Sequence, residues 1–144
     1  MGTSYEKDVV TWANEQASLL RTGQLSAIDI EHIAEEIEDV GRSQQRELAS
    51  RITVLLTHLL KWAYQPERRS KSWTRTISVQ RKDVAYVLAE APSLRTKFND
   101  TAWLDIVWSK AIVAAIDETG LDLSIDDCPW TIEQVLDANF FPEK

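Results

Sequence analysis

The sequence predicts an all-α protein, a bundle of five to six helices, and three observations carry that expectation. Apolar residues recur at helical intervals along nearly the whole chain. Only four glycines and four prolines occur in 144 residues, too few for the many tight turns of an all-β protein. Gly23, Pro66, Pro92 and Gly120 stand between the periodic stretches, as stop signals should. The expected helices cover roughly residues 4–22, 27–40, 43–64, 72–91, 94–118 and 132–138, in a single domain over residues 1–144. A chain of this length can bury roughly two-thirds of its unfolded surface.

Thr3 and Glu6 have the spacing of a capping box, and Val9, Trp12, Ala13, Ala17 and Leu20 follow at helical intervals. Gly23 suits the left-handed residue that ends this helix. Ser26 is the expected cap of the next, with Asp29 in its first turn and Leu25 and Ile30 placed as a hydrophobic staple. A stripe then runs through Ile30, Ile33, Ile37, Val40, Gln44, Leu48, Ile52, Leu55, Leu59 and Trp62. Its nine steps span 32 residues, a mean of about 3.56. The phase survives Gly41, and an internal glycine costs only about 1 kcal/mol relative to alanine, so one bent helix or two meeting near Gly41 both satisfy the pattern.

Pro66 ends that stretch and pushes Gln65 toward extended geometry. Trp73, Ile77, Gln80, Val84, Leu88 and Ala91 form the next stripe, with Ser70 or Ser72 as cap. Pro92 stops it, and Ser93 opens a helix containing Leu94, Phe98, Ala102, Ile106, Ile112 and Ile116. Residues 103–116, WLDIVWSKAIVAAI, are apolar almost all round, so this helix is expected to be central or half-buried against another subunit. In PWTIEQVLD, Thr131 and Gln134 form a capping box, and Trp130 with Val135 a staple, for a short last helix.

Net charge is −7, which argues against general nucleic-acid binding. The charge is unevenly placed. Asp29, Glu31, Glu35, Glu36, Glu38 and Asp39 crowd residues 29–39 without a lysine or arginine. Residues 61–82 carry seven lysines and arginines against Glu67, a local +6. The single Cys128 excludes an internal disulfide and a cysteine-based zinc site, and neighbouring carboxylates should raise its pKa. No apolar run reaches the roughly 18 residues of a membrane span, and the start MGTSYEKD lacks an apolar signal core, so a cytoplasmic location is the default.

The segments IAEEIEDVGRSQQREL, LLTHLLKWAYQPERRSKSW and CPWTIEQVLDANFFPE resemble the bacterial family known as domain of unknown function family 29. The resemblance covers nearly the whole chain, with the segments in order. It implies an all-helical soluble domain, and it implies no activity, substrate or cofactor. Residues shared with the family pattern would include Glu36, Gly41, Arg46, His58, Trp62, Gln65, Pro66, Ser72 and Trp73.

Three constellations could carry chemistry. Arg51 and His58 lie seven residues apart, almost two helical turns, on one face about 10 Å apart along the axis. An Arg–His pair at this spacing resembles the metal-independent ribonuclease motif of the all-helical HEPN superfamily, which implies a histidine proton carrier and a phosphate-steadying arginine. This chain has Ile52 where that motif usually has a polar residue, and His58, between Leu55 and Trp62 at helical spacing, reads better as a partly buried histidine bonded to a neighbouring helix. His32, Glu35, Glu36 and His58 could supply metal ligands, but the acids also read as a solvated helix face, and no metal or cofactor is expected. The basic turn with Arg68, Arg69, Lys71, Trp73 and Arg75 before a helix N-terminus could hold a phosphate or carboxylate. Its bland alternative is a corner where Trp62 and Trp73 pack together beside Gln65 and the cations pair with Glu35, Glu36 or Glu38.

The leading reading is a non-enzymatic protein-interaction or scaffold module, a homo-oligomer or partner-binding domain using the 103–116 helix. The alternative is an HEPN-like ribonuclease or a nucleotide- or anion-binding domain built on Arg51, His58 and the basic 66–75 turn.

Overall fold

The computed structural model describes residues 2–143. Five α-helices follow one another: α1 (Val9–Arg21), α2 (Ile30–Tyr64), α3 (Lys71–Glu90), α4 (Thr101–Thr119) and α5 (Ile132–Leu136). An eight-residue 3-10 helix, Pro92–Asn99, makes a sixth, and single 3-10 turns occupy Leu25–Ala27 and Pro66–Arg68. No strand occurs among the described residues, so the chain is all-α as the periodicity predicts. It divides into two compact units, residues 1–43 and 44–144, and α2 contributes its first part to one and the rest to the other.

In residues 1–43 the caps differ from expectation. Asp8, not Thr3, caps α1, accepting from Val10 and Thr11 backbone N–H groups at 3.1 Å. Thr3 instead donates its backbone N–H to Glu15 at 2.7 Å. Asp29, not Ser26, caps α2: its Oδ1 accepts from the backbone N–H of His32 at 3.3 Å. An aspartate carries full charge to the positive helix end, an advantage over a hydroxyl. Gly23 takes the left-handed φ of 75°, as its position before the turn requires. As residue number rises from Tyr5 through Trp12 to Gln16, the partners fall from Glu36 and His32 to Asp29, so α1 and the start of α2 run antiparallel.

Residues 44–144 hold the hydrophobic core. Leu48, Ile52, Leu55 and Leu59 of α2 meet Ile77 and Val84 of α3 and Val107, Ala111 and Ala115 of α4, all shut from solvent. Ser70 caps α3 through Trp73 N–H, Gly120 closes α4 at φ 72°, and Thr131 with Gln134 forms the capping box of α5. The expected helix over 94–118 is corrected, because Asp100 caps a fresh start and its Oδ1 accepts from Trp103 N–H at 3.1 Å. The residues before it, opening at Pro92, wind as the tighter 3-10 helix.

The open choice near Gly41 resolves to one continuous helix of 35 residues. The stripe along it does not have one fate. From Leu48 onward it is enclosed, whereas Ile30, Ile37 and Val40 are 66, 67 and 66% exposed. In α4 the reverse holds. Val107, Trp108, Ala111 and Ala115 are buried, and of the 103–116 segment Ile106 and Val113 are the large apolar residues left exposed.

Candidate functional site

The proline corner between α2 and α3 brings several of the sequence candidates together, in residues 44–144. Pro66 sits at the start of a 3-10 turn that Arg69 closes, and Gln65 before it is buried. The two tryptophans take different partners instead of stacking on each other. Trp62 lies against Phe141 with ring centres 4.9 Å apart, and the Arg69 guanidinium covers its ring at 4.9 Å. Trp73 lies under the ammonium of Lys61 at 5.1 Å. Cation–π contacts of this kind contribute about 0.5–1 kcal/mol each where they are exposed.

The expected pairing of this corner's cations with Glu35, Glu36 or Glu38 is corrected. Arg69 donates Nε–H to the Trp62 backbone carbonyl at 2.9 Å. Lys61 pairs with Glu118 at 3.1 Å. Glu36 accepts from the Tyr5 hydroxyl, and Glu38 and Asp39 flank Arg42. No carboxylate lies within 4 Å of Arg68, Lys71, Arg75 or Lys82 among the described residues. All four face solvent. A backbone carbonyl takes the place of the expected carboxylate at Arg69 because that of Trp62 is left over at the α2 C-terminus, where a cation is a natural partner.

Arg81 is the residue that pattern reading missed. Buried on α3, it donates from Nε to the Val135 carbonyl at 2.9 Å, from Nη2 to Phe140 at 2.7 Å and from Nη1 to Ala138 at 3.4 Å. Phe141 packs under the same guanidinium at 5.5 Å. Burial pulls its pKa below the ordinary arginine value, and Asp137 works in the opposite direction. The fork of Arg81 therefore ties residues 135–141 to α3, a role that needs a planar multi-donor head. A groove of about 440 Å³ opens beside this clamp, lined by Thr74, Ser78, Arg81, Lys82, Leu136 and Phe141.

Arg51 and His58 both lie on the enclosed half of α2, on separate duties. Arg51 donates to Glu47 at 2.7 Å and faces Asp83 at 3.4 Å, and the Glu47 hydrogen bond raises its pKa. His58 is half-buried and its Nδ1 donates to the Val54 carbonyl at 3.0 Å, a bond within its own helix and not the expected one to a neighbouring helix. Neither residue lines the groove beside Arg81.

The expected metal candidates are dispersed. His32 bonds Asp29 through Nδ1 at 2.7 Å and Glu6 through Nε2 at 3.2 Å, and stacks on Tyr5. The Asp29 hydrogen bond raises the His32 pKa and lowers that of Asp29. The Glu36 hydrogen bond pushes the Tyr5 hydroxyl up to about 12. No group of three His, Cys, Asp or Glu side chains could hold a metal ion among the described residues. Cys128 donates its thiol to the Trp130 carbonyl at 3.4 Å, and burial raises its pKa. No described helix is long and apolar enough to cross a membrane.

Neither a curated protein nor a solved structure matches this chain. A family model does, and it is the one described as "Domain of unknown function DUF29", over residues 4–141. That span runs from the Tyr5 cluster through the proline corner to Phe141 under the Arg81 clamp, and the chain belongs to the DUF29 family.

Proposed function

We propose that this domain works as a protein-interaction module. The observation that carries the reading is the apolar stripe of Ile30, Ile37 and Val40, lying in water on an acidic helix surface. Large apolar side chains aligned on one face of a helix are the form in which helices bind partners. The groups that could have done chemistry are occupied: Arg51 with two carboxylates, Arg69 and Arg81 with backbone carbonyls. This moves the expected contact surface from the 103–116 helix to the first half of α2, since α4 spends most of its apolar surface inside residues 44–144. A photo-crosslinking residue at Ile37, activated in living cells, tests the reading. Discrete protein adducts that vanish on Ile30→Glu are expected. A smear of unspecific adducts, or none, would overturn it.

The ribonuclease alternative has one favourable feature, a His58 Nε2 with no hydrogen-bond partner among the described residues. It requires Arg51 to leave Glu47 and Asp83 for a phosphate. Incubation with mixed RNA beside a His58→Ala variant decides it. Equal or absent cleavage by the two proteins removes the alternative.

A further inference from the structure

Residues 30–44 carry a pattern finer than helical periodicity. Ile30, Ile33, Ile37, Val40 and Gln44 are spaced three, four, three and four, the register of a coiled-coil seam. Between Gln44 and Ile52 the steps become four and four, a break in register that coincides with the start of the enclosed core. Its apolar members, Ile30, Ile33, Ile37 and Val40, all belong to residues 1–43, and the pattern is one that fits another helix.

On α1, Val9 and Leu20 are also exposed, next to Trp12 and Gln16, which touch Asp29 and His32. Val9 and Leu20 on α1, and Ile30 and Ile37 on α2, lie ahead of the contact row in the direction of helix rotation, while Val10 stands on another face of α1. Antiparallel helices rotate oppositely when viewed from one end. Both stripes thus come round to one side of the α1–α2 hairpin, and the groove that any two packed helices leave between them there is edged by exposed apolar side chains. Glu31 and Glu38 border the exposed isoleucines, and residues 1–43 as a whole hold nine carboxylates against three lysines and arginines, a net −6, so this face sits in an acidic surrounding.

The chain also displays a surface of opposite character. Arg75, Val79, Lys82 and Tyr86 follow each other at four, three and four residues along α3, all facing solvent, with Lys71 one turn before. Val79 is 50% and Tyr86 66% exposed, and Lys71, Arg75 and Lys82 have no carboxylate within 4 Å among the described residues. An apolar row with flanking cations is what the acidic groove would select, and two acidic hairpins would repel each other.

Resting on the interaction reading above, we propose that the acidic isoleucine groove of residues 1–43 binds the basic Val79–Tyr86 face of α3 on a second copy of this chain. The apolar rows supply the contact area, and the charges choose which surface meets which. Because the two faces differ, the contact is head-to-tail: a pair closes when both contacts form, and a chain of copies grows when only one does.

Sedimentation velocity on the full chain, from low to high micromolar and at two salt concentrations, tests this. Wild type should associate with rising concentration, more weakly at high salt. Ile37→Glu should weaken association roughly a hundredfold, since a charge would enter the apolar contact. Glu31→Lys with Glu38→Lys, and separately Arg75→Glu with Lys82→Glu, should each weaken it about tenfold or more. The two charge-reversed proteins mixed in equal amounts should associate again, because every face then meets its opposite. All of these positions are exposed, and circular dichroism checks that each variant stays folded. A chain monomeric at every concentration overturns the proposal. So does association that Ile37→Glu abolishes while Arg75→Glu with Lys82→Glu leaves it intact, which would pair the grooves with each other. Ile37 cross-links to a different protein would overturn self-docking and leave the interaction reading standing.

Discussion

Among the described residues, 1–43 enclose two side chains, Trp12 and Gln16, whereas 44–144 shut an unbroken set of aliphatic residues from Leu48 to Val135 away from water. The first unit is joined mainly by directed polar contacts. Trp12 donates its indole N–H to Asp29 at 3.0 Å, Gln16 accepts from the Asp29 backbone, and Tyr5, His32 and Glu36 complete a chain of bonds and stacked rings. The second is joined by apolar burial, worth about 25 cal/mol for each Å² removed from water. The difference teaches that a periodic apolar row in this chain means two things. Where other helices surround it, it is core. Where a single small helix and a polar cluster accompany it, it stays exposed to water.

Leu55→Ala should remove about 2–5 kcal/mol from global unfolding, because Leu55 is fully enclosed by the second unit's core. Urea denaturation measures it, and Trp12→Ala is the matching probe of the first unit. An equal global loss from Trp12→Ala would erase the distinction between the two units. Arg81→Met should cost about 2–3 kcal/mol by leaving backbone carbonyls without their charged donor. Hydrogen exchange should then rise in residues 132–141 before anywhere else, and Arg81→Lys should restore little, having one point charge in place of a fork.

The polar unit should respond to pH where the apolar one does not. The folded pKa of His32 is raised above 6.5, so its contribution is present below that value and fades as pH climbs through the raised one. The Asp29 pKa is lowered below 3.8, so its contribution is present above 3.8 and fades as pH falls through the lowered one. Residues 8–36 should therefore be best ordered between these limits and loosen on the alkaline side first in near-neutral buffers. NMR titration of the His32 ring, with backbone shifts of α1 as readout, checks it, and Asp29→Asn should bring the histidine back toward its ordinary value. The smallest effect has the opposite sign. Gly41 lies inside α2 with nothing near the position of a Cβ, so Gly41→Ala should stabilise the helix by about 0.5–1 kcal/mol. Thermal melting detects it, and a destabilised Gly41→Ala would overturn the expectation that helix propensity alone decides at this position.

Much of the helical frame was legible in the residues themselves. Ser70, Thr131 with Gln134, Gly23 and Gly120 act where local chemistry alone would place them, since caps and left-handed turns depend on few neighbours. Thr3 and Ser26 misled because each has an aspartate a few residues on, Asp8 and Asp29, and the helices start there, on backbone donors that a charged cap holds more strongly than a hydroxyl would. Periodicity reported the apolar face of α2 faithfully and was silent on whether anything lies against it, so Ile37 and Leu55 looked alike. The candidate site was less legible. A guanidinium bound to backbone carbonyls, as at Arg69 and Arg81, leaves no trace in residue types, because every residue brings a carbonyl.

The Arg81 clamp also sets an order of events during synthesis. Its acceptors are 54–59 residues downstream, so the guanidinium has only water to bind while α3 and α4 emerge from the ribosome. Closing so long a loop costs entropy that local helix formation does not, and it has to wait for Val135 and Phe140 to be made. Nascent chains lacking those residues should hold their helices loosely and stay vulnerable to proteases until the final segment seats itself.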